Sequence, residues 1–89
     1  MQFEWDRAKA ERNAKKHKVS FDEAVTVFYD PLAATFSDPD RSGGERRLIT
    51  IGHSSRDHLL VVAHVERGES IRIISARLAT AQERKRHET

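Results

Sequence analysis

The 89-residue chain carries 16 Lys/Arg against 14 Asp/Glu, a net charge of +2 and no cysteine, with a sequence pI near 9.3. That length admits one small domain, residues 1–89, whose core is marginal without a partner or a second copy. The lack of cysteine excludes disulfides and thiolate metal sites, and no apolar run approaches the length of a membrane span or a secretory signal, so a soluble, cytoplasmic protein is expected.

Phe3-Glu4-Trp5 is short, aromatic and alternating, which suits an edge strand. Asp6 is a good N-cap for a helix running to about His17. The only apolar residues of that helix are Ala8, Ala10 and Ala14, and Ala10, Asn13, Ala14 and His17 share one face that buries little area. Lys18 to Ser20 form a tight turn. Ser20 and Glu23 make a capping box with Val19 and Ala24 as its hydrophobic staple, opening a second helix. Phe21, Ala24, Val25 and Phe28 fall on one stripe of it. Asp30-Pro31 ends it, because a residue before proline is pushed out of the α region.

The period then changes. Residues 32–36 (LAATF) suit a strand, 38–45 (DPDRSGGE) a loop and 46–54 a strand. Residues 58–65 (HLLVVAHV) form a near-continuous apolar run, so this strand belongs in the centre of the sheet. A turn at 66–70 leads into a strand over 70–76. Thr80 and Glu83 form a second capping box for a last short helix. The expected architecture is α+β, in the order β-α-α-β-β-β(-β)-α, with an antiparallel sheet and the helices packed on one face.

Chemistry-bearing motifs are sparse. There is no Walker loop, dinucleotide fingerprint or serine-nucleophile elbow. His17, His53, His58, His64 and His87 have no zinc spacing, so no metal site and no cofactor are expected. What remains is arginine with some histidine and glutamate. Arg72 alternates with Ile71 and Ile73 and projects from the face opposite to them. Arg77 follows at the strand end, and Glu45 and Arg47 flank the start of the strand after the Gly-Gly loop. Arg84 and Lys85 are either the polar face of a helix or a clamp on phosphate. RNA cleavage through the 2′-hydroxyl uses such groups: cations on the scissile phosphate and His or Glu for proton transfer, with no metal required. Many non-enzymes carry the same residue types, and a small RNA- or protein-binding module with a basic face is the alternative.

The runs FEWDRAKAERNAKKHKVSFDEA, DPLA, GERRLITIG and IRIISARLATAQERKRHE resemble the BrnT toxins of bacterial type II toxin–antitoxin systems, over residues 2–88. The resemblance implies a fold similar to the RelE-type ribonuclease toxins, metal-independent RNA cleavage and growth arrest. It also implies neutralisation by a BrnA-type antitoxin, operator DNA reached only through that antitoxin, and a toxin dimer within a heterotetramer. On that basis His17, Glu45, Arg47, Arg72 and Arg77 are the expected catalytic residues, and Lys16, Arg84, Lys85 and His87 the expected RNA contacts. Two positions depart from the family pattern. Lys18 stands where glycine is common after Lys-His, and His87 where a tyrosine is common. Glycine would suit a left-handed helix end, and an aromatic near the C-terminus would suit stacking on a base.

Overall fold

A computed structural model describes residues 1–39 and 46–88. β1 (Gln2–Glu4) is followed by α1 (Arg7–His17), whose N-cap Asp6 accepts the Ala8 N–H at 2.9 Å. Lys18 closes α1 at φ 61°, its N–H donating to the Ala14 carbonyl at 3.0 Å. The lysine adopts the left-handed conformation that glycine would accept freely, at a cost of about 1 kcal/mol. Ser20 Oγ accepts the Glu23 N–H at 3.0 Å and opens α2 (Phe21–Thr26), which tightens into a 3₁₀ turn at Val27–Tyr29. Asp30 is extended before Pro31, as its position requires.

Four strands and a helix complete the chain: β2 (Ala34–Ser37), β3 (Arg47–His53), β4 (Leu59–Arg67), β5 (Ser70–Leu78) and α3 (Ala81–Glu88). The sheet order is β1-β5-β4-β3-β2, so the apolar β4 is central and β1 is an edge. The sheet is mixed rather than antiparallel. β1 runs parallel to β5, pairing Gln2–Glu4 with Ser70–Arg72, because the chain has crossed through both N-terminal helices and three strands before returning beside it. Ala63 pairs with Ser75 and His64 with Ile73, which leaves Ile74 as the extra residue of a bulge in β5. No described helix is long and apolar enough to cross a membrane.

Strand alternation gives the sheet two different faces. On one, Leu60, Val62, Ile73 and Ala76 form a core with Val19, Phe21, Ala24 and Val27 of the helical layer. The 3₁₀ turn comes so close that a Cβ on Gly52 would meet Ala33 Cβ at 2.8 Å and Val27 Cγ1 at 3.0 Å. The expectation that all helices share one face fails for α3. Glu83, Arg86 and His87 line a cleft with Ala34, Phe36 and Ile51, on the side away from Gly52. The reason lies in composition: α3 has no buried residue. It is held by its capping box, with Glu83 N–H to Thr80 Oγ1 at 3.1 Å and Thr80 N–H to Glu83 Oε1 at 2.9 Å, and by Arg77.

Candidate active site on the open face of the sheet

The face opposite α1 and α2 is built by the alternate residues of β2 to β5. Arg47, Val65 and Arg72 are cross-strand partners in one row. Phe36, Ile49, Ala63 and Ser75 make the next row, and Ala34, Ile51, Val61 and Arg77 the third. Val65 and Val61 are four residues apart on β4, so the arginine pair and Arg77 stand about 13 Å apart along the strand direction. Between them lies an apolar floor.

Each arginine leans on a carboxylate of its own chain. Arg47 Nε lies 3.2 Å from Asp38 Oδ2, and Arg72 Nη1 lies 3.4 Å from Glu4 Oε2. Arg77 is held much more firmly, donating through Nη1 and Nη2 to the two Glu83 oxygens at 2.8 and 2.9 Å. The hydrogen bonds from Arg77, working against burial, hold the Glu83 carboxyl at about 2, and Glu83 in turn raises the Arg77 guanidinium further. Glu45, two residues before Arg47 in the sequence, lies outside the described residues, and the carboxylate beside Arg47 is Asp38. An arginine held by one carboxylate still has donors to offer a phosphate.

α3 overhangs the far end of this face and encloses a cleft of about 500 Å³ with β2 and β3. His87 lies in that cleft, its ring centroid 6.1 Å from that of His53. Arg84 points along the helix toward Glu88 at 3.9 Å, and Lys85 is exposed. Lys16 and His17 are elsewhere. They line a groove of about 310 Å³ between α1 and the outer edge of β5, with Ile74 and Ser75 on its other wall. The fold therefore gathers Arg47, Arg72, Arg77 and His87 on one side of the sheet, and sets Lys16 and His17 beside its β5 margin. Among the described residues no group of three or more His, Asp and Glu side chains is placed to hold a metal ion.

Two polar clusters escaped the sequence reading, those of Asn13 and Glu23, and His64 forms a third. Asn13, assigned only to a weak helix face, is buried and donates to the Val19 and Ala76 carbonyls at 3.0 and 2.8 Å while accepting the Ala76 N–H at 3.1 Å. Its amide continues the hydrogen-bonding of β5 where β1 has ended. Glu23 fills only half of its capping box. Its Oε2 accepts from Ser54 Oγ at 2.6 Å and faces His58 Nδ1 at 2.8 Å, pinning the β3–β4 turn onto α2. Burial would push that carboxyl up, but the bonds from Ser54 and His58 outweigh it and lower it. His64 is buried, bonded through Nε2 to Thr50 Oγ1 at 2.8 Å, with Phe28 edge-on at 4.9 Å, and burial holds its pKa below the usual histidine range. A lone Asn at a small-residue helix face, and a Glu three residues after a cap, were the only signals, and both have a local explanation that hides the distant one.

The chain as a whole is similar to known proteins. A family model described as the ribonuclease toxin BrnT of type II toxin–antitoxin systems matches residues 5–83. The crystal structure of the Brucella abortus ribonuclease toxin BrnT superposes with a TM-score of 0.69 at 25% identity, covering 90% of this chain and 97% of that one. No curated protein sequence matches the chain.

Proposed function

The chain belongs to the BrnT family of ribonuclease toxins of type II toxin–antitoxin systems, and from that premise we propose that the free protein is an endoribonuclease that cleaves RNA across the open face without a metal ion. The observation that carries the proposal is the set of three arginines, Arg47, Arg72 and Arg77, at the two ends of one apolar floor. In the reaction the 2′-oxygen attacks phosphorus and the bond to the 5′-oxygen breaks, leaving a 2′,3′-cyclic phosphate and a 5′-hydroxyl. Negative charge grows on the phosphoryl oxygens, and guanidinium groups aimed there do the work a metal would otherwise do.

Proton transfer is assigned to His17 and Glu45. His17 shares its groove with Ser75, which itself stands in the middle row of the open face, so that groove adjoins the floor. Glu45 precedes Arg47 by two residues. Lys16, Arg84, Lys85 and His87 flank the face and are proposed to hold the RNA on either side, His87 by stacking within the cleft under α3.

Membership in a type II system supplies a protein antitoxin as partner. We assign it to the BrnA type, in a heterotetramer containing a toxin dimer, with operator DNA bound through the antitoxin alone. The test is incubation of purified, antitoxin-free protein with RNA in EDTA. Products ending in 2′,3′-cyclic phosphate are expected, together with growth arrest on expression. Salt-sensitive binding with no product and no arrest is the result a non-catalytic basic module would give, and it would overturn the proposal.

A further inference from the structure

α1 carries more positive charge than its structural role requires. Its eleven residues hold five Lys/Arg against Glu11 alone, while the whole chain is nearly balanced. Lys9, Arg12 and Lys16, spaced three and four residues apart, lie on one stripe and point along the groove between α1 and β5. None of these side chains, nor His17, makes an ion pair or hydrogen bond with any described residue. The helix dipole favours the cations of the last turn, Lys15, Lys16 and His17, but it disfavours Lys9 near the N-terminus, where the first turn holds no acid. Arg12 and Lys16, four residues apart, repel each other. Asp6 at the N-cap answers the dipole at that end, but none of the three cations has a carboxylate partner among the described residues.

The opposite wall of the groove is equally specific. The bulge in β5 places both Ile74 and Ser75 on this wall. The Ser75 hydroxyl has no hydrogen-bond partner among the described residues. Ser75 also belongs to the middle row of the open face, between Arg72 and Arg77. One residue therefore lines both surfaces, and the groove continues the arginine face around the margin of β5. The two walls are rigidly joined, because Asn13 of α1 bonds both the N–H and the carbonyl of Ala76.

We propose that this groove is an RNA track: single-stranded RNA leaving the open face crosses at Ser75 and lays its phosphates along Lys9, Arg12 and Lys16. The inference rests on the RNA-cleaving reading of the open face and adds where the flanking strand goes. Recognition here is by backbone charge and carries no base specificity. Its consequence is that long RNA is held more tightly than short RNA.

The test uses fluorescence anisotropy of the full chain with a long single-stranded 2′-O-methyl RNA, which cannot be cleaved, and with a tetranucleotide of the same chemistry. Lys9→Gln/Arg12→Gln is expected to reduce the slope of log affinity against log salt by about 1.4 on the long RNA, roughly 0.7 for each lost phosphate contact. The tetranucleotide slope stays within error, and Lys9→Arg keeps the full slope on the long RNA, since charge alone is read. An unchanged slope on the long RNA, or an equal loss on both probes, overturns the track. Single-turnover cleavage by Arg72→Ala separates the two claims. Wild-type cleavage by that variant sinks the open-face reading whatever the slopes show. Lost cleavage with unaltered slopes sinks only the track.

Discussion

On the helix face of the sheet, polar side chains are buried and bonded inside the chain. Asn13 makes three hydrogen bonds to backbone, Glu23 gathers Ser54 and His58, and His64 joins Thr50 and, through it, Thr35. On the open face the polar side chains are arginines between 25 and 40% exposed, each leaning on one carboxylate. Groups of the first kind position elements and have little capacity left for a ligand. Those of the second kind retain donors that a phosphate can take. The contrast separates residues that hold the fold from residues proposed to meet RNA, and it makes different demands on each.

The largest effect on the helix side is expected from Asn13→Ala. It strands the N–H and carbonyl of Ala76 and the carbonyl of Val19 in the interior. At roughly 1–3 kcal/mol for each stranded group, a total loss on the order of 3 kcal/mol or more in urea unfolding is predicted. A loss under about 1 kcal/mol would show that water reaches this margin and would blur the comparison. Gly52→Ala comes next. The added methyl meets Ala33 and Val27 closer than van der Waals contact, and a destabilisation of about 1–3 kcal/mol is expected.

Those two residues also show what the sequence made legible. Element order, the central β4, the edge strand at the N-terminus and both capping boxes follow from local pattern, because each is set by residues within a few positions of one another. The parallel pairing of β1 with β5 and the placement of α3 depend on where the chain returns, and no local period encodes that. Arg72 could be assigned a face by alternation, but Arg77 is five residues on and alternation alone would put it on the opposite face; the bulge at Ile74 shifts the phase and brings both to the open face. Asn13 could not be placed by pattern, since its partner Ala76 is 63 residues away. The carboxylates beside the arginines were missed for the same reason: Asp38 and Glu4 reach Arg47 and Arg72 through strand pairing rather than sequence proximity.

Smaller effects probe the boundary between the faces. Glu83 titrates near 2 in the folded chain against an ordinary value of 4.5. A depressed carboxylate contributes stability that is fully present above about 4.5 and is lost as pH falls toward 2. Because Arg77 and Glu83 are both partly exposed, solvent screening reduces the contribution to about 1 kcal/mol. Glu83→Gln should therefore flatten the acid side of the stability curve between pH 4.5 and 2 and loosen α3. A variant with the wild-type acid slope would show that the pair is not formed in solution. The smallest shift has the opposite sign: Lys18→Gly relieves the left-handed lysine and should stabilise the chain by about 0.5–1 kcal/mol in thermal unfolding, with RNA cleavage unaffected.

The arginine face, and not the buried polar network, is proposed to carry the chemistry. Arg72 is the cleanest probe, because its only side-chain hydrogen bond among the described residues is a long one to the half-buried Glu4, whereas Arg77 also anchors α3. The direct measurement is the single-turnover cleavage rate of a defined RNA in EDTA by Arg72→Ala, taken beside its unfolding free energy. A rate lower by about 10²–10³-fold is expected, the loss typical of removing one donor from a developing anion, with stability within about 0.5 kcal/mol of the parent. A wild-type rate at unchanged stability would contradict this proposal.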